Sequence, residues 1–134
     1  MENPYILYLE DDELEIHKFR LAFDSLGSNY KLKSCNNGEE GLLFLNQNRH
    51  HLPSFILLDL NMPIMNGFEF LEEVKSNASY KKIPIVIFSS SNNQSDIIYS
   101  YDLQVAGYFV KPFNPEDYKK VIEKINHYWE QCEL

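Results

Sequence analysis

The chain has 134 residues, the size of one domain with a real core, and 44% of them are hydrophobic, an ordinary globular share. Its net charge of −8 argues against nonspecific nucleic-acid binding, which needs clustered Lys and Arg. No stretch reaches the roughly 18 uncharged apolar residues of a membrane span, and the start, Met1-Glu-Asn-Pro-Tyr5, lacks the basic and apolar regions of a signal peptide. A cytoplasmic protein is expected, with Cys35 and Cys132 as unpaired reduced thiols.

In chain order, Tyr5 to Leu9 reads as a first buried strand, followed by the acidic cluster Glu10-Asp-Asp-Glu13. A helix to about Leu26 carries Ile16, Phe19, Phe23 and Leu26 near one face, and Gly27-Ser-Asn29 stops it. Tyr30 to Cys35 predicts a short strand near an edge, with Lys31 and Lys33 alternating outward. Asn37-Gly-Glu-Glu40 fits a capping box and opens a helix through about Gln47. Ser54 to Leu58 is the third strand and Phe68 to Lys75 lies in the third helix. Ile83 to Phe88 is the fourth strand, with Pro84 near its start. A polar loop from Ser89 leads to a fourth helix, Asp96 to about Leu103. Ala106 to Val110 is the fifth strand, and Asn114-Pro115 caps a last helix to about Gln131. Strands alternating with helices predict a doubly wound α/β domain with a parallel sheet covered on both faces. A single domain, 1–134, with no output domain is the expected organisation.

The most informative stretch is Phe55-Ile-Leu-Leu-Asp59-Leu-Asn-Met-Pro63-Ile-Met-Asn-Gly67. An apolar strand ends on a lone carboxylate, at the place where open α/β sheets put their ligand chemistry. Polar features follow three other strands as well: Glu10-Asp11-Asp12, Ser89 and Lys111. Separately each has a structural reading: an acidic run favours a helix dipole, serines cap helices, and Lys-Pro makes a turn. In a parallel sheet, however, all of them converge on one edge. Crowded carboxylates there repel one another and need a compensating charge. Oxygen-only ligands without His or Cys point to Mg²⁺. A metal, the Lys111 ammonium and the Ser89 hydroxyl would form a clamp for a phosphoryl group, with Asp59 as nucleophile. His17, His50, His51 and His127 lack metal spacing.

With these motifs in place, the chain resembles the response-regulator receiver domains of the single-domain, chemotaxis-regulator-like kind over essentially its full length. The resemblance rests on Leu9-Glu-Asp-Asp12, Leu58-Asp-Leu-Asn-Met-Pro63 with Asn66-Gly67, Phe88-Ser-Ser90, and Gly107-Tyr-Phe-Val-Lys-Pro-Phe113. It implies a flavodoxin-like (βα)5 sheet in the order 2-1-3-4-5. It also implies that Asp59 is the phosphoacceptor, and that Glu10, Asp11, Asp59 and the backbone carbonyl of Asn61 hold Mg²⁺, Glu10 through water. Ser89 takes the family's hydroxyl position and Lys111 its lysine, commonly followed by a cis peptide to proline. Ser89 and Tyr108 match the switch positions. Glu10 and Ser89 depart from the commoner Asp and Thr.

The implied function is that of a stand-alone two-component response regulator, not an enzyme turning over small molecules. A sensor histidine kinase or histidine phosphotransfer protein would donate the phosphoryl group. An output protein would read the face made by the fourth helix, fifth strand and fifth helix, where Ile97, Tyr99 and Tyr101 are candidate docking residues. Neither nucleic acid nor membrane is an expected partner. Three rival functions fit the residues less well. A phosphohydrolase of the haloacid-dehalogenase type needs an acid where Asn61 stands. A flavodoxin-like binder needs a hydroxyl- and glycine-rich loop where the acids stand. A degenerate receiver would not keep Asp11, Asp59, Ser89 and Lys111 together.

Overall fold

Strands that are apolar at every position need helices on both faces, and the chain supplies them in strict alternation. The computed structural model describes residues 3–131, in the order β1 Tyr5–Leu9, α1 Glu13–Asp24, β2 Lys31–Cys35, α2 Gly38–Gln47, β3 Phe55–Leu58, α3 Gly67–Lys75, β4 Ile85–Ser89, α4 Gln94–Asp102, β5 Gly107–Val110 and α5 Pro115–Gln131. The five strands are parallel and ordered β2-β1-β3-β4-β5, as the doubly wound reading expected. Cys132 lies outside the described residues. Cys35 is a free thiol, and burial, with the Glu40 charge, pushes it up to about 11.

Strand alternation sorts the core into two layers. Leu7, Leu9, Ile56, Leu58, Ile85 and Ile87 share one layer with Leu45 of α2 and Phe70, Leu71 and Val74 of α3. Ile6, Tyr8, Phe55, Leu57, Val86 and Phe88 share the other with Phe19 and Phe23 of α1 and Tyr118, Ile122, Ile125 and Trp129 of α5. Trp129 stacks on Phe55 with ring centroids 3.8 Å apart. At the β2 edge Lys31 and Lys33 are exposed, which discourages pairing with another chain.

Helix ends follow the side chains available for capping. Helix α1 ends at Asp24, short of Leu26, and the chain leaves it through Gly27 at φ 64°, a left-handed turn that glycine adopts without strain. At α2, Asn37 accepts from the Glu40 amide at 2.9 Å, but the Glu40 carboxylate reaches back to the amide of Asn36 instead of Asn37, also 2.9 Å. The reciprocal box stands at α3 instead, between Asn66 and Glu69. Helix α4 begins before Asp96, at Gln94, because Asn93 caps it by accepting from the Ser95 amide at 2.9 Å. Asn114 accepts from the Glu116 amide at 2.8 Å and so caps α5, as the Asn-Pro pair predicted. Strand β4 begins at Ile85, after Pro84, which has no N–H to give; the Pro84 carbonyl still accepts from Ile56 at 2.9 Å. The Lys111–Pro112 bond is trans, as are all peptide bonds among the described residues. The cis bond implied by the resemblance is therefore absent, and trans is the isomer X–Pro amides favour by about 0.5–1 kcal/mol.

Candidate functional site at the carboxyl edge of the sheet

Three strands deliver the site by extending their ladders one bond past the strand, and β4 contributes its last residue, Ser89. The Glu10 amide donates to the Cys35 carbonyl at 3.0 Å, that of Asp59 to Leu9 at 3.0 Å, and that of Lys111 to Ser89 at 2.8 Å. Each main chain is thus held in strand register while its side chain rises beyond the sheet. The turn after Asp59 closes tightly on Gly67: a Cβ there would come within 2.4 Å of the Asp59 carbonyl oxygen. Glycine lets α3 start directly against the acid-bearing turn.

Carboxylate oxygens of Glu10, Asp11 and Asp59 all lie within 4.8 Å of one another. Glu10 and Asp59 are buried and Asp11 is exposed. They border an open cleft of about 290 Å³, also lined by Asp12, Glu15, Ser90 and Lys111. Burial and the Asp59 charge push Glu10 up to about 7. Burial also raises Asp59, against the opposing pull of the Lys111 charge, the Ser89 hydroxyl and the Asn61 backbone. Burial alone would lower Lys111, but the charges of Asp59, Glu10 and Glu15 outweigh it and hold the ammonium above its usual value. Lys111 Nζ donates to Glu10 Oε1 and lies 3.7 Å from Glu15 Oε2 and 5.6 Å from the centre of the Phe88 ring.

The donor set is all oxygen, clustered, and short of positive charge. It suits a hard divalent cation that keeps part of its water shell. Lys111 supplies part of the compensation, to Glu10 by direct contact and to Asp59 through its charge.

Glu10, Asp11, Asp59 and Lys111 therefore meet as the sequence predicted. Ser89 is at the same edge but fully buried, and its Oγ accepts from the Ser91 amide at 3.3 Å. Asn61 lies just beyond Asp59, exposed, with its backbone beside the Asp59 carboxylate. Tyr108 stands in mid-β5, half-buried, and its hydroxyl donates to the Ser91 carbonyl at 2.8 Å. Ser91 in turn donates to Asp96 at 2.8 Å, so Tyr108 is tied to the loop that carries α4. Of the candidate docking residues, Ile97 is half-buried, whereas Tyr99 and Tyr101 are 41% and 50% exposed. Tyr99 is also engaged with α3: its hydroxyl donates to Glu72 at 2.5 Å and its ring meets Phe68 edge-on.

Two residues of the site were not anticipated. Tyr8 is fully buried with its hydroxyl 3.4 Å from Glu10 Oε1. Positions i and i+2 of a strand share a face, and that signal would have placed Tyr8 under Glu10. Glu15, in the first turn of α1, reaches the cleft from a helix that starts right after β1. Its nearness to the acidic run was the available signal.

Comparison with known proteins agrees with this geometry. The response regulator receiver domain model matches residues 6–123. Response regulator Rcp1 of Synechocystis is 33% identical over 128 residues, covering 92% of this chain and 87% of that protein. A probable methanogenesis regulatory protein, FilR2 of Methanothrix harundinacea, is 31% identical over 132 residues, 96% of this chain and 85% of its own length. Among solved structures, the phosphorylated cyanobacterial phytochrome response regulator RcpA superposes with a TM-score of 0.89 at 31% identity, covering 99% of this chain and 98% of that one. A fold, an acid-lined edge and a sequence match over most of the chain all coincide, and the protein belongs to the response regulator receiver domain family of two-component signalling.

Proposed function

We propose that the protein accepts a phosphoryl group on Asp59 from a phosphohistidine of a sensor kinase or phosphotransfer protein and signals by phosphorylation-dependent protein binding. The observation that carries this reading is the meeting of the Glu10, Asp11 and Asp59 oxygens within 4.8 Å, with the Lys111 ammonium beside them. An Asp59 oxygen forms a bond to phosphorus while the P–N bond to the donor imidazole breaks. The electron pair goes to that nitrogen, which then takes a proton. Glu10, Asp11, Asp59 and the Asn61 carbonyl are the residues that would hold Mg²⁺, whose charge would offset the carboxylates and the phosphoryl oxygens. Support for a metal in this fold also comes from a relative, since Rcp1 has been solved in a Mn(2+)-bound form.

Lys111 is the cation the chain itself supplies, and it turns toward the new charge on Asp59 while staying close to Glu10, whose carboxylate belongs to the same cluster. Ser89, buried at the end of β4, is the hydroxyl that would turn toward the phosphoryl oxygens. Moving it disturbs Ser91, to which Tyr108 is bonded, and so biases β5 and α4. The face of α4, β5 and α5 is then the surface an output protein reads. The absence of helices long and apolar enough to span a membrane, among the described residues, is compatible with a cytoplasmic place for this exchange.

Acetyl phosphate supplies the test, because the clamp belongs to the protein and needs no kinase. Intact mass after incubation with Mg²⁺ should show a single added phosphoryl group, lost in Asp59→Asn and strongly reduced in Asp11→Asn. Labelling that survives Asp59→Asn overturns the assignment.

A further inference from the structure

We propose that Glu15 is a positioning residue for Lys111, holding the ammonium on the α1 side of the cleft until a phosphoryl group on Asp59 competes for it. The proposal rests on the reading of Asp59 as phosphoacceptor and deepens it.

Glu15 is held from both sides. Its Oε1 accepts from Lys18 Nζ at 3.2 Å, one turn further along α1. Lys18 in turn sits 4.4 Å above the Tyr118 ring of α5. The other oxygen, Oε2, is buried, makes no hydrogen bond, and lies 3.7 Å from Lys111 Nζ. A buried carboxylate oxygen without a donor is costly, and the ammonium facing it has donors to spare after serving Glu10. Lys111 is therefore shared between two acids with different places in the site. Glu10 belongs to the oxygen cluster that includes Asp59, and Glu15 does not. When Lys111 moves toward Asp59 it stays close to Glu10 and leaves Glu15. The charge on Glu15 opposes that movement, so it slows phosphorylation and favours the return.

The test is a double-mutant cycle on the rate of phosphorylation by acetyl phosphate, with Glu13→Gln as the control for a lost acid in the same helical turn. Glu15→Gln should speed labelling about fivefold, Glu13→Gln less than about twofold, and the Glu15→Gln gain should vanish in Lys111→Ala. Equal gains from the two glutamate variants, or a gain that persists without Lys111, would mean a general field effect and overturn the proposal. Where Lys111→Ala labels too slowly to follow, the Nζ resonance of Lys111 in the unphosphorylated protein decides. It should move distinctly more in Glu15→Gln than in Glu13→Gln, and equal movement refutes the contact. Because this resonance needs no phosphoryl transfer, a wild-type protein that never labels at Asp59 would sink the phosphoacceptor reading and leave the contact itself separately judged.

Discussion

Helices α4 and α5 flank the same edge of the sheet but are attached to it very differently. Helix α5 buries Tyr118, Ile122, Ile125, Asn126 and Trp129 against the sheet and α1. Helix α4 buries one residue, Ser100, and shows Ile98, Tyr99 and Tyr101 to solvent. What holds α4 is largely polar: Asn93 at its cap, Ser91 on Asp96, and the Tyr99 hydroxyl on Glu72. Elements with few buried apolar contacts are the ones that open at low free-energy cost. One side of the site thus rests on a rigid support and the other on an element that can change position. This is the division of labour a receiver domain needs if charge at Asp59 is to be read at a distance.

The largest test of the contrast is truncation on each helix. Trp129→Ala removes a ring stacked on Phe55 and should cost about 3–5 kcal/mol in chemical denaturation. Ile98→Ala on α4 should stay within about 0.5 kcal/mol, as expected of a side chain that is mostly exposed. Comparable losses at the two positions would show that α4 is as firmly built in as α5.

The buried acids of the cleft make stability depend on pH. Folding raises Glu10 to about 7 from its ordinary 4.5, by burial first and then by the Asp59 charge. The folded state therefore binds this proton more tightly than the unfolded chain. Its contribution to stability is complete below pH about 4.5 and is lost as pH rises through about 7. Without metal, stability should fall across that window by an amount on the order of 2 kcal/mol. Glu10→Gln should flatten the fall, and adding Mg²⁺ should offset it at pH 8. An equally steep fall in wild type and Glu10→Gln would place its origin elsewhere.

The contrast also marks how far the sequence could be read. Asp59 was legible because an apolar strand ending on a carboxylate has no packing reason to do so. Strand polarity then carried Glu10, Asp11, Ser89 and Lys111 to the same edge. Which acid takes the ammonium was not legible, because several carboxylates are equally placed by topology and only side-chain geometry chooses Glu10 and Glu15. The weak attachment of α4 was readable only in part. Its apolar residues point to more than one side, but two of the hydrogen bonds that hold it join residues distant in sequence, Tyr99 with Glu72 and Tyr108 with Ser91. Capping showed the same limit, since Asn37 and Asn66 offer similar local patterns and only Asn66 completes the reciprocal box.

The smallest expected effect is the most specific to the mobile side. Tyr108→Phe keeps the half-buried ring and removes only the hydroxyl that donates to the Ser91 carbonyl at 2.8 Å. A hydrogen bond of this kind contributes about 1 kcal/mol net, and the freed carbonyl lies in a loop that water can reach, so the global loss should be smaller still. Locally the effect should be larger than that figure implies, because Ser91 also fixes Asp96 and hence the first turn of α4. Amide hydrogen exchange should therefore quicken in the loop after β4 and in the start of α4, while α5 amides keep their protection. Unchanged exchange in α4 would mean that the Tyr108 bond does not hold the helix, and the path from Ser89 to the output face would have to avoid it. Exchange that quickened equally in α5 would break the comparison itself, since the two helices would then open together as one unit.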